Sequence, residues 1–329
     1  MKYVVILNWK NAQSTLECVE SVLKIDDPEL VIVVCDNNSC DDSLSYIERS
    51  LLDRMVENNI NIAVINEQEI KIESHNEIFS KVVLIQNDKN YGYAGGNNVG
   101  IRFGLNDQHC TFIWVLNNDT IVQKDSLNYM IDVMNNDPNV GICGSLLILK
   151  NNPQIIQGIG GAFNKFLSTT QHIEEFKPLL SVSMERKIRK DIDYIIGASM
   201  LIRADVFKKI GLLFEDYFLY FEEIDFCLRA AQYYELAVAV ESHVYHDVGL
   251  STNGGRSNIA DYCAVRNRLI VSKRFYPYTL PLVWFSLAGV LANRIKRREF
   301  IKARNVVKIM LIDSIKIFFK YKKHDNSVK

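Results

Sequence analysis

The sequence has no excess charge of either sign: 38 lysines and arginines stand against 39 aspartates and glutamates, a formal net charge of −1. A whole-molecule field that would gather nucleic acid is therefore missing, and nucleic acid is not expected as a partner. No CxxC pair occurs among the seven cysteines, at 18, 35, 40, 110, 143, 227 and 263. An odd, scattered set fits neither a disulfide framework nor a zinc ribbon; it reads as reduced thiols, mostly in the core. The N-terminus runs straight into an apolar strand pattern without the basic stretch and apolar core of a signal peptide, which predicts a folded part in the cytoplasm. No GxGxxG follows a strand and no GK[ST] closes a loop, which speaks against a dinucleotide oxidoreductase and a P-loop enzyme. What is present is 329 residues with 48% hydrophobic content, enough to bury a large core.

Residues 3–7 and 30–35 are short β-branched runs of the kind buried on both faces of a parallel sheet. Between them Leu16, Val19, Val22 and Leu23 recur at helical spacing, with Ser14 as the expected N-cap. The alternation continues through a helix over 44–58, a strand over 82–86, a helix over 97–104, a strand over 111–116, a helix over 125–135 and a strand over 140–148. The polar stretch 60–81, with one apolar island at 60–65 suggesting an extra strand or hairpin, reads as an insertion. A helix over 203–209 and a strand over 236–240 follow. This order predicts an α/β fold: a mostly parallel central sheet flanked by helices, with ligand-binding turns at the C-terminal ends of strands. Beyond about residue 265 apolar and basic residues mix, which predicts a C-terminal helical appendage. The chain divides on this reading into a domain over 1–275 and an amphipathic, basic region over 276–329.

Five segments carry chemistry. Asp36, Asn37, Asn38 and Ser39 end a strand and suit either a base-reading acid or an Asx-capped turn. Between a strand and a helix, Gly92, Gly95 and Gly96 precede Asn97, so backbone N–H groups and a positive helix end are available to a diphosphate; a tight loop alone is the competing reading. Asn117 and Asp119 lie two apart at another strand end, a spacing that lets them flank one divalent ion completed by phosphate oxygens and waters. Glu222, Glu223 and Asp225 sit among large apolar residues, where a carboxyl is held protonated toward neutral pH and is placed to accept a proton; a helix N-terminus accounts for at least one of the three. His243 reads as structural, whereas His246, ahead of Gly249 and Ser251, is a candidate to complete a metal site with Asp119.

Taken in order, these motifs resemble those of the family 2 glycosyltransferases with the GT-A fold, over roughly residues 1–275. The resemblance is strongest to the bacterial rhamnosyltransferase-like branch. It rests on Asn8-Trp9, the DNxSxD of 36–41, the NxGxAGGNNxG of 90–100, the LNxD of 116–119, the segment 197–203, the acidic-aromatic motif 221–229, the H-xx-G-x-S of 246–251 and Arg266-Asn267. It implies a nucleotide diphosphate sugar donor held by Asn8, Asp36, Asn38, Gly95, Gly96, Asn97 and Asn117, with Asp36 reading the base. It also implies a divalent metal, Mg2+ or Mn2+, on Asp119 and His246, and Glu223 as catalytic base of an inverting transfer. The donor it suggests is dTDP-rhamnose, with a UDP-hexose as the alternative; the acceptor is a saccharide or a polyprenyl-linked saccharide in bacterial surface polysaccharide synthesis. A non-catalytic sugar-nucleotide-binding subunit is the reading of another class, and it would need no acid at 223.

The apolar run 278–292 is too short, at fifteen residues interrupted by Pro281, to span a bilayer comfortably. Basic residues follow it, and 306–321 is amphipathic. The pattern suits a helical region lying on the anionic inner face of the cell membrane, or a packed pair that makes a homodimer.

Overall fold

The computed structural model describes residues 1–55, 61–71, 81–182, 188–247 and 257–324. Strand β1 (Lys2–Asn8) is followed by helix α1 (Ala12–Val22), β2 (Leu30–Asp36), α2 (Ser43–Met55), β3 (Ile62–Asn66), β4 (Val82–Gln86), α3 (Gly92–Leu105) and β5 (Phe112–Asn117). Next come β6 (Thr120–Val122), α4 (Ser126–Asn136), β7 (Val140–Leu149), β8 (Ile156–Gly158), β9 (Gly161–Asn164), β10 (Thr169–His172) and β11 (Ile188–Arg189). Then β12 (Ser199–Arg203), α5 (Ala204–Ile210), α6 (Glu222–Ala230) and β13 (Glu235–His246) lead to α7 (Asn258–Phe275), α8 (Leu280–Lys296), α9 (Phe300–Lys308) and α10 (Ser314–Lys320).

The sheet runs β11-β13-β7-β12-β5-β1-β2-β4-β3, with β6 added to β13 and β8 to β7. Strands β3, β4, β2, β1 and β5 form one parallel block, and β12 runs against both β5 and β7. Every position of β2 is buried, as its unbroken Val/Ile/Leu run requires for a strand covered on both faces. The chain leaves β1 toward β2 and β4 on one side and returns to β5 on the other. This makes the C-terminal end of β1 the switch point where open α/β sheets take ligands. Register places Asn8 beside Asp36, Asp36 beside Gln86 and Leu7 beside Asn117, so polar residues line that edge.

Two expectations change. The helix expected from residue 97 begins at Gly92, so Gly92, Gly95 and Gly96 are helical. The cause is packing. A methyl on Gly96 would lie 2.5 Å from Leu7, one on Gly100 2.6 Å from Val5 and one on Gly104 3.0 Å from Tyr3. Every fourth residue of α3 thus meets every second residue of β1, and bare Cα atoms let the helix settle onto the strand. Ser14 is buried within α1, and Asn11 occupies the N-cap position. Of the strand and the hairpin expected for the island at 60–65, the strand is what forms: β3 (Ile62–Asn66) is a parallel edge strand, while residues 56–60 and 72–80, which complete the expected helix 44–58 and the insertion, lie outside the described residues.

The C-terminal helices form against α7. Ser257 caps α7 by accepting from the Ala260 amide, and Asp261 of α7 pairs with Arg294 of α8. Val283, Leu287, Val306, Ile309 and Ile317 are buried and join the main core. A π-helical turn over Ile309–Asp313 connects α9 to α10, and Asp313 there accepts from the Tyr262 hydroxyl at 2.8 Å.

Candidate active site

At the strand ends the donor side is built first. Asn8 is fully buried; its Nδ2 donates to Asp36 Oδ1 at 2.6 Å and its Oδ1 accepts from Thr15 at 2.8 Å. Asp36 Oδ1 also accepts from the Ser39 hydroxyl at 2.6 Å, while Oδ2 accepts from the Ser39 amide at 3.0 Å and Gln86 Nε2 at 3.2 Å. Two donors on each carboxylate oxygen fill its acceptor capacity. Asp36 is therefore the keystone of the loop after β2, and it meets a base only by exchanging one of these bonds. Asn38 stands in the left-handed region with φ 55° and donates to the Asp88 carbonyl at 3.2 Å.

Two amides of the glycine-rich segment are already engaged within the protein. The Gly92 amide already donates to Asn90 Oδ1 at 2.9 Å and the Tyr93 amide to the Phe218 carbonyl at 2.6 Å, so these two first-turn donors of α3 have partners. Gly95 is closed by the side chain of Tyr91, and Asn97 donates back to the Tyr93 carbonyl at 2.9 Å. Of these glycines, Gly96 seats the helix on Leu7 of β1, while Gly92 lies against Phe218 and Gly95 against Tyr91.

Asn117 ends β5, and Asp119 lies in the turn before β6 rather than further along a strand. Pairing of His246 with Thr120 between β13 and β6 carries the histidine to that turn. His246 Nε2 lies 3.1 Å from Asp119 Oδ1 and 3.4 Å from Asn117 Nδ2. On the other ring nitrogen, Nδ1 faces Gln157 Oε1 at 2.7 Å, so the neutral ring carries its proton on Nδ1 and a lone pair on Nε2. Asp119 Oδ1 is buried and has no hydrogen-bond donor. Two lone pairs converging in a buried site fit a divalent cation, with Gln157 as the outer partner that fixes the tautomer. Gly249 and Ser251, expected beside His246, lie outside the described residues.

Next to this pair stands Tyr93, whose hydroxyl is 2.8 Å from Asn117 Oδ1 and 2.9 Å from the Gly197 carbonyl. Glu223 rests against Gly197: a methyl there would meet its Cβ, Cγ and Cδ at 3.5–3.9 Å. Glu223 is half-buried, and burial pushes its carboxyl up to about 7. Glu222 is buried, and burial together with the Glu223 charge raises it well above the carboxylate range. Asp225 is fully buried and engaged: Arg229 and Arg274 each approach it at 2.7 Å, and Tyr217 donates to it at 3.1 Å. Of the three acids, Asp225 is an anchor, Glu222 faces inward, and Glu223 borders the cluster of Tyr93, Asn117, Asp119 and His246. His243 sits at the irregularity in β13, its ring held toward the neutral form by burial.

The profile of the family described as "Glycosyltransferase like family 2" matches residues 2–246, most of the chain. The protein belongs to this family. It is a glycosyltransferase of the GT-A fold. A curated relative, the low-salt glycan biosynthesis hexosyltransferase Agl10 of Haloferax volcanii, is 26% identical over 224 residues, covering 67% of this chain and 68% of that protein. GalNAc-T7, solved with UDP, GalNAc and Mn2+, superposes with a TM-score of 0.60 at 15% identity over 96% of this chain; the match spans 57% of that neighbour's length. The mannosyltransferase PcManGT of Pyrobaculum calidifontis, solved with GDP-Man and Mn2+, gives a TM-score of 0.54 at 12% identity, covering 95% of this chain and 86% of the other.

Proposed function

We propose that this glycosyltransferase moves a hexose from a nucleoside diphosphate donor onto an acceptor hydroxyl with inversion. The observation that carries the reading is the convergence of a donorless Asp119 oxygen and the His246 Nε2 lone pair beside Glu223's neighbour Tyr93. Asp119 and His246 would hold a divalent ion, Mg2+ or Mn2+, whose charge compensates the departing diphosphate. Glu223 takes the acceptor proton as the acceptor oxygen bonds to the anomeric carbon and the bond from that carbon to the diphosphate oxygen breaks. Tyr93, kept protonated by burial, orients Asn117 at the edge of this site. On the nucleotide side stand Asn8, Asp36 and Asn38. Asp36 reaches the base by giving up the Gln86 bond, its longest. Gly95, Gly96 and Asn97 shape the wall behind the donor.

For the donor we favour L-rhamnose from dTDP-rhamnose, on the rhamnosyltransferase-like motif set. The relative named as a hexosyltransferase and the neighbours holding UDP with GalNAc or GDP-Man support a UDP- or GDP-linked hexose as the second reading. Hydrolysis of dTDP-rhamnose, UDP-glucose, UDP-galactose and GDP-mannose, each with and without Mn2+, separates them. If none is bound or turned over, the reading fails.

The acceptor we propose is a saccharide, free or polyprenyl-linked, reached from the cytoplasmic face of a membrane. Among the described residues no helix is long and apolar enough to cross a bilayer. Yet Leu282, Phe285, Phe300, Leu311, Ile315 and Phe319 of α8–α10 are exposed. Residues 276–329 hold 12 basic and 3 acidic side chains, against 26 and 36 in residues 1–275. An apolar surface within a basic region suits an anionic interface.

A further inference from the structure

The turn that delivers Glu223 is built against its own backbone preference. Phe218, Tyr220 and Phe221, none of them glycine, have φ of 65°, 66° and 76°, and Phe221 is the N-cap of α6. Left-handed backbone is unfavourable for L-residues and persists only where surroundings over-determine it. Here the surroundings are two adjacent side chains of α7. Asn267, fully buried, aims Nδ2 at three carbonyls of the turn: Tyr217 at 3.0 Å, Leu219 at 2.8 Å and Tyr220 at 2.8 Å. Its Oδ1 accepts from Arg266 at 3.0 Å (Nε) and 2.9 Å (Nη2), and Arg266 Nη2 also reaches the carbonyls of Asp216 at 2.8 Å and Tyr217 at 3.0 Å.

We propose that Asn267, oriented by Arg266, is a positioning residue for the transfer: it clamps the left-handed turn and thereby sets Glu223 against Gly197. The inference rests on Glu223 being the base. A merely stabilising asparagine would serve as well on straight backbone. This one sits where three carbonyls are turned to one point by the left-handed residues, and its two Nδ2 hydrogens are shared among them. The carbonyl between, that of Phe218, is held by the Tyr93 amide, so the same turn also seats the tyrosine whose hydroxyl touches Asn117. The clamp therefore fixes both flanks of the site at once.

The test uses full-length protein labelled at the glutamate side-chain carboxyl carbon, the Glu223 resonance being identified by its loss in Glu223→Gln. Among the described residues, Glu222, Tyr93, Tyr194 and Cys227 feel the Glu223 charge, and all are left in place. In Asn267→Ala the turn relaxes, water reaches Glu223, and its titration midpoint falls by at least one pH unit. Turnover of whichever of dTDP-rhamnose, UDP-glucose, UDP-galactose and GDP-mannose the unaltered enzyme uses best falls about 100-fold, with donor KM within about twofold, as expected for a displaced catalytic group. Should Asn267→Ala fail to fold, Arg266→Gln, which removes the outer half of the clamp, shows the same two changes to a smaller degree. A lowered melting temperature with an unchanged Glu223 midpoint and unchanged kcat overturns the inference. Full turnover in Glu223→Gln would instead overturn the assignment of the base itself.

Discussion

Gln157 Oε1 lies 2.7 Å from His246 Nδ1, and in the neutral ring this bond holds the proton on Nδ1 and leaves the Nε2 lone pair on the side of Asp119, 3.1 Å away. Outer partners of this kind are worth about 10–100-fold in metal affinity. Gln157→Leu should raise the Mn2+ concentration for half-maximal turnover by that factor while leaving the rate at saturating Mn2+ nearly intact. Asp119→Ala and His246→Ala should lose turnover outright, and EDTA should do the same to the unaltered enzyme. An unchanged Mn2+ titration in Gln157→Leu would remove the glutamine from the site.

The acid pair predicts opposite pH trends for rate and stability. Glu223 must be ionised to act, so kcat/KM should climb with pH through about 7, and Glu223→Gln should lower it about 10²–10⁴-fold. Both carboxyls are raised on folding, so the folded chain holds more protons than the unfolded chain from the ordinary carboxylate range upward. Their contribution to stability is fully present below that range and is lost as pH rises through their raised values, about 7 for Glu223. Melting curves should therefore show Glu222→Gln more stable than the parent at pH 8 and no more stable at pH 4.

The helix seated on β1 predicts a graded series. Alanine at Gly96 or Gly100 drives a methyl to 2.5 or 2.6 Å from Leu7 or Val5, whereas alanine at Gly104 meets Tyr3 at 3.0 Å. Overpacking of this order costs about 1–3 kcal/mol. Urea unfolding should rank Gly96→Ala and Gly100→Ala below Gly104→Ala. Equal stabilities across the three would mean that α3 shifts freely along the strand.

For the C-terminal surface, the full-length protein should sediment with vesicles containing phosphatidylglycerol at low salt and release as salt rises, since each basic residue near such a surface contributes about 1 kcal/mol. Phe285→Asp and Phe319→Asp, both at exposed positions, should weaken binding without unfolding the protein. A full-length protein that ignores the vesicles yet dissociates from dimer to monomer in these variants would assign the face to a second copy.

Much of the fold was legible because buried parallel strands announce themselves as β-branched runs: residues 3–7, 30–35, 82–86 and 111–116 all emerge as strands. The start of α3 was not legible. Gly92, Gly95 and Gly96 read locally as a loop, and the close approach of Phe218 to Gly92 and of Leu7 in β1 to Gly96 comes from segments distant in sequence. The same holds within the site. Asp119, His246 and Glu223 stood out through their chemistry, but Gln157 and Tyr93 gained their partners from strand pairing and helix packing that no local pattern encodes. Asp36 was conspicuous as a strand-end acid; that its four acceptor positions are filled from Asn8, Ser39 and Gln86 is a property of three separate segments brought together.

The family match stops at residue 246, but α7 reaches back from beyond it with Arg266, Asn267 and Arg274. A fragment ending at the family boundary would keep every strand of the sheet and still be a poor enzyme. Its Asp225 would be left with one guanidinium instead of two, and its left-handed turn would lose the donors that α7 supplies. Breaking into such a buried charge cluster is costly even where the surrounding core is intact. The scaffold and the reacting geometry are thus separable by a cut at one place in the chain, and it is the geometry that would be lost first.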